Sequence, residues 1–130
     1  INDKSNYFFN HIIYNEDKPF SDFYDYFKQT FAPRLQWKSL FRIKINLYPN
    51  TEKIFVQAKH SDVDNLGIDW GDLKGAIYSV NTCNGWTELE DGTKLKSIEN
   101  RMILFDPTIM HNGTSCTDQK VRCNINFNFY

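Results

Sequence analysis

The chain has 130 residues, enough for one domain with a buried core and too few for two, so residues 1–130 are read as a single unit. Its 15 Lys and Arg nearly balance 16 Asp and Glu, and a net charge of −1 excludes a general electrostatic hold on nucleic acid. Aromatic residues make up 16% of the chain, with 11 Phe and 7 Tyr, a bias toward strands.

The first dense aromatic and β-branched run, Tyr7 to Tyr14, predicts a strand. Apolar residues then recur at Phe20, Phe23, Tyr24, Phe27 and Phe31. That spacing predicts a helix over 19–31, with Ser21 or Asp22 near its start and Pro33 beyond its end. Residues 1–38 are thus expected to support a core spanning 39–130. In that core the period drops to two: Phe41, Ile43, Ile45 and Leu47 alternate with Arg42, Lys44, Asn46 and Tyr48. Short strands over 54–58 and 75–81 follow. Trp86 to Glu90 and Thr93 to Lys96 flank Asp91-Gly92, a hairpin signal. Arg101 to Phe105 and Val121 to Tyr130 complete the set. About eight short strands separated by turn signals predict a sandwich or jelly roll.

The last strand offers two readings. Val121, Cys123, Ile125, Phe127 and Phe129 share an apolar face, while Arg122, Asn124, Asn126 and Asn128 share the other. The polar face is either a solvated edge or the wall of a polar cavity inside a barrel. The three cysteines, Cys83, Cys116 and Cys123, are odd in number and lack Cys-x-x-Cys spacing. They argue against a disulfide framework and a structural zinc site, and for a reducing, cytoplasmic setting. No apolar run approaches membrane-spanning length, so no membrane is expected as a partner. Asn112-Gly113-Thr114 is read as a turn rather than a glycosylation acceptor.

The segment Lys59-His60-Ser61-Asp62 sets an imidazole and a carboxylate two residues apart, on one side of an extended chain. Both can reach one ion. A third ligand must come from elsewhere, and His111, after the strand ending at Phe105 and a Pro107 turn, is the candidate. Two His and one carboxylate form the facial set of non-haem iron(II) oxygenases, which leaves open positions for a chelating 2-oxo acid and dioxygen. The far carboxylate of 2-oxoglutarate needs a cation with several donors, and Arg122 at the start of the last strand suits it. A lone His-x-Asp is common by chance. The ordered conjunction of His-x-Asp, distant His and Arg carries more weight. His11 is read as a packing residue, and Asp64, Asp69 and Asp72 as a solvated loop.

From about Phe41 to Phe129 the chain resembles the 2-oxoglutarate- and iron(II)-dependent dioxygenases, in particular the compact prolyl-hydroxylase-like group. The motifs that carry the resemblance are His60-Ser61-Asp62, the run Gly75 to Asn81, Asn84-Gly85-Trp86-Thr87, and the run Asn100 to Phe105 leading to His111 and then Val121 to Ile125. The resemblance implies a mainly β fold, a double-stranded β-helix or distorted jelly roll with a short N-terminal helical region. It also implies that Arg122 pairs with the far carboxylate of the co-substrate. Such hydroxylases often carry a co-substrate-binding Tyr where Ser79 aligns here, and Asn126 would help line the pocket.

The implied reaction couples oxidative decarboxylation of 2-oxoglutarate, with Fe(II) as cofactor and ascorbate as a stimulant, to hydroxylation of a C–H bond. A peptidyl proline or another protein side chain is the expected substrate, with a small free molecule as the alternative and nucleic acid disfavoured. The segment 62–74 is either a lid or a connection. The rival reading is a cupin-type jelly roll that binds metal as an isomerase or binds a sugar, without oxygenase activity. A three-His version of that site requires His11.

Overall fold

The computed structural model describes residues 7–64 and 66–130, and the architecture is a mainly β jelly roll with one helix. Ten elements follow in chain order: β1 (Phe9–Asn15), β2 (Lys18–Pro19), α1 (Tyr24–Leu35), β3 (Leu40–Pro49), β4 (Lys74–Ser79), β5 (Trp86–Leu89), β6 (Lys94–Lys96), β7 (Arg101–Phe105), β8 (His111–Gly113) and β9 (Val121–Phe129). A six-stranded sheet has the order β2-β1-β3-β9-β4-β7, and a three-stranded sheet the order β6-β5-β8. All ladders are antiparallel.

Alternation in β3 and β9 gives the large sheet two unlike faces. Ile43, Ile125, Phe127 and Phe129 point to one side and, with Ala76, meet Phe27 and Phe31 of α1. Phe31 packs against Phe127 at a centroid separation of 4.8 Å, and Trp37 lies over both Phe127 and Phe129. Burying each such ring stabilises the fold by about 1.5–3 kcal/mol. The main hydrophobic core therefore sits outside the barrel, between sheet and helix. Polar residues fill the other side. Arg122, Asn124, Asn126 and Asn128 are all at most 5% exposed, which overturns the solvated-edge reading and supports the cavity one.

Partners across the β3–β9 ladder interact one by one. Arg42 Nε donates to Asn128 Oδ1 (3.1 Å), Asn46 Nδ2 donates to Asn124 Oδ1 (3.0 Å), and Arg122 lies over the Tyr48 ring (5.2 Å to the centroid). Lys44 faces Asn126 in the same register.

Several elements differ from expectation. The helix starts later and runs through Pro33, because residues 18–19 pair with β1 and Ser21 Oγ accepts the Phe23 N–H in the turn before it. Pro33 is tolerated near the end, where Gln29, whose carbonyl it fails to reach, is exposed. The expected strand over 54–58 is not one. The segment runs beside β8 with single bridges at Val56–Thr114 and His60–His111, and the register slips by one residue between them. Asn112 and Gly113 lie in β8, buried, rather than in a turn. In the described part of the 62–74 segment, Trp70 Nε1 donates to the Asp64 carbonyl and the Trp70 carbonyl accepts from the Tyr130 hydroxyl. No helix among the described residues is long and apolar enough to cross a membrane.

Candidate metal centre

His60 and His111 face each other across a reciprocal pair of backbone hydrogen bonds, each 2.8 Å, which holds two neighbouring chains at a fixed spacing. The rings sit 4.7 Å apart. Asp62, two residues on, turns back to the same point, its amide tied to the Pro107 carbonyl at 2.9 Å. Asp62 Oδ1 lies 3.3 Å from His111 Nε2 and 3.8 Å from His60 Nε2. The three donor atoms all fall within 4.8 Å of one another.

Hydrogen bonds around the cluster orient each donor. His111 Nδ1 is 2.9 Å from the Ile109 carbonyl, and His60 Nδ1 is 3.4 Å from that of Ala58. With Nδ1–H donating to each carbonyl, both Nε2 lone pairs face inward. Asp62 Oδ2 accepts from Asn126 Nδ2 (3.1 Å) and Asn128 Nδ2 (2.9 Å), while Oδ1 is buried without a hydrogen-bond partner among the described residues. Arg42 adds a hydrogen bond from Nη2 to the Asp62 backbone carbonyl (2.8 Å). Two lone pairs and an orphaned carboxylate oxygen aimed at one point repel each other unless a cation or proton lies between them. The donor set therefore fits a divalent ion such as iron(II). Burial opposes ionisation of Asp62, but His111, Asn128 and Asn126 outweigh it and hold its pKa well below the ordinary range. His111 is likewise disfavoured as a cation by burial, yet Asp62 raises its pKa above the ordinary value. Burial and then His111 lower that of His60.

A cavity of about 30 Å³ adjoins the cluster, walled by Lys44, Asn46, Tyr48, Thr87, Asn112 and Asn126 among others. That holds one or two waters, so a five-carbon diacid would require its walls to open. Arg122 lies directly behind the wall. Its Nη2 donates to Thr87 Oγ1 (2.9 Å) and its Nη1 to the Thr114 carbonyl (3.0 Å), while Nε is buried with no partner among the described residues. At 1% exposure it has no carboxylate partner among the described residues. Burial lowers its pKa. Ser79 is buried on β4 opposite Asn124 but is not among the residues walling this cavity.

Sequence reasoning gave Arg42 and Lys44 no part in the site, and named Asn128 on the polar face without tying it to Asp62. The alternation of β9 and β3 already put them on the polar face, but nothing local said that the face looked inward. His11 is exposed on β1 opposite Ile45, neither packed nor near the cluster. A second convergence, Cys83, Cys116 and Asp118, was hidden by its loop spacing. Cys116 Sγ donates to the Gln119 carbonyl (3.5 Å), and burial raises its pKa, which favours the thiol over the thiolate a metal would need at that position.

No protein-family model matches the sequence, and neither does any curated protein. The fold is similar to a cupin domain from Bordetella pertussis Tohama I, with a TM-score of 0.50 and 8% identity over 72% of this chain and 83% of that one. It is also similar to an HTH_3 family transcriptional regulator from Vibrio cholerae, with a TM-score of 0.53 and 9% identity over 95% of this chain and 51% of that one. At such identities the likeness reaches the fold alone. Fold and site together define a jelly roll, similar in fold to a cupin domain, with a clustered two-histidine, one-carboxylate donor set. No family model supports the narrower dioxygenase group that the sequence resembles.

Proposed function

We propose that the chain binds a divalent metal ion through His60, Asp62 and His111 and uses it, with 2-oxoglutarate and dioxygen, to hydroxylate a C–H bond. One observation carries the step from metal binding to 2-oxoglutarate. Arg122 is a buried guanidinium with no carboxylate partner among the described residues, set behind the wall of the cavity that the metal cluster borders. An unpaired buried cation is costly, and a ligand carboxylate would offset that cost. The overall change converts 2-oxoglutarate, dioxygen and R–H into succinate, carbon dioxide and R–OH. Iron(II), when bound, would supply the oxygen activation. The chain's part is to hold three donors on one face, keep Asp62 ionised through Asn126 and Asn128, and exclude water. Fe(II) and 2-oxoglutarate are cofactor and co-substrate in this reading, and a peptidyl proline or other protein side chain is the substrate that the sequence resemblance suggests.

The cupin-like fold favours a second reading, a metal-binding jelly roll without oxygenase activity, and the comparisons back it better than the oxygenase. Against its three-His form stands the exposed His11, which takes no part in the cluster. Succinate release separates the two. Protein with iron(II), ascorbate and 2-oxoglutarate is expected to form succinate slowly, above a His111→Ala control. Metal binding with no succinate would overturn the oxygenase reading. Arg122→Ala should raise the 2-oxoglutarate concentration required while leaving metal binding intact; lost metal binding would refute the role given to this residue.

A further inference from the structure

A groove of about 380 Å³ lies beside the metal cluster and belongs to no part of it. Leu89, Leu104, Phe105, Ile109 and Met110 line it, and Leu104, Ile109 and Met110 are 68%, 44% and 36% exposed. It adjoins His111 in two ways. Leu89 is the register partner of His111, and the Phe105 ring stands edge-on to the imidazole at 4.9 Å. Its remaining lining residues are Glu90, Asp91 and Asp106, with no cation among them. Two of these carboxylates are fixed by their own turns: Asp106 Oδ1 accepts from the Thr108 amide and hydroxyl, and Asp91 Oδ1 from the Thr93 amide. Leu104 and Phe105 point to opposite faces of β7, so the groove runs over the edge of that strand. Among the described residues β7 is the last strand of its sheet and pairs only with β4, so its other edge carries no ladder there.

We infer that this groove takes an extended peptide that lies along β7 and pairs an apolar side chain with a Lys or Arg. Main-chain bonds to the β7 edge would hold the peptide, the apolar lining would take the hydrophobic side chain, and the three acids would select the cation. The volume exceeds one side chain and falls in the range of binding pockets. As the substrate groove of the metal centre, this inference rests on the function proposed above; as a binding site it does not.

The test uses three capped pentapeptides that differ at one place, Ala-Ala-Leu-Lys-Ala, Ala-Ala-Leu-Glu-Ala and Ala-Ala-Leu-Leu-Ala, titrated into the isotopically labelled protein. The Lys peptide is expected to shift the amides of Leu89, Leu104 and Ile109 and to bind more tightly than the other two. Glu90→Gln and Leu104→Ser change exposed side chains, so the fold should stand. Each is expected to weaken the Lys peptide by about three- to fivefold. Equal binding of the Lys and Glu peptides, or no shift with any of the three, overturns the inference. Succinate formation is measured in parallel. Selective Lys-peptide binding without any succinate would leave the groove and remove the oxygenase. Succinate without peptide binding would do the reverse.

Discussion

Asp62 divides its two oxygens between two tasks. Oδ2 belongs to the scaffold through Asn126 and Asn128, and Oδ1 faces the imidazoles. Removing one amide loosens the carboxylate without touching a ligand. Asn128→Ala should therefore weaken iron(II) or cobalt(II) binding by about 10–100-fold, measured by titration, with circular dichroism unchanged. The cluster also predicts opposed pH effects. Asp62, held below the ordinary carboxylate value of 3.8, contributes stability present above that value and lost as pH falls through its depressed pKa. His111, raised above the ordinary 6.5, contributes stability that is complete below 6.5 and disappears as pH rises through its raised pKa. His111's share of the metal-free protein's stability should thus fall toward alkaline pH, while the lowered pKa of His60 acts in the opposite sense, and metal affinity should climb, since the ion replaces a proton. Urea unfolding between about pH 5 and about pH 9, with His111→Ala as control, checks the sign.

Elements with long, clean alternation were legible in the sequence. β7 falls on its expected residues, β9 ends one residue early, and the hairpin forms around Asp91 and Gly92, with Gly92 at φ +86°. The failures share a cause. β8 has three residues and the segment before His60 makes only single bridges, so their structure comes from contact with each other rather than from any local period. The polar face of β9 could be read, but its direction could not, because alternation separates two faces without naming the inner one. Loop positions carry comparable weight. A Cβ at Gly85 would meet the Ser115 carbonyl at 2.6 Å and Arg122 Cδ at 2.7 Å. Gly85→Ala should therefore destabilise by about 1–3 kcal/mol and displace Arg122, seen as a lower melting temperature and weaker 2-oxoglutarate binding.

For the molecule as a whole, stability and chemistry occupy different sides of one sheet. Phe127, fully buried against Phe31 and Trp37, anchors the outer side. Phe127→Ala should cost about 3–5 kcal/mol, measured by denaturant unfolding, while the ligand cluster across the sheet keeps its residues. The location of the core was only half readable. The apolar face of β9 was clear, and Phe27 and Phe31, which cover it, lay inside the expected helix, but alternation alone did not choose that helix over a second sheet as the partner. That division has a practical outcome. Since the greasy contacts lie away from the ion's position, stripping the ion with a chelator should empty the centre and leave the scaffold standing. The stripped protein should still melt in one cooperative step and regain its full complement when metal is returned.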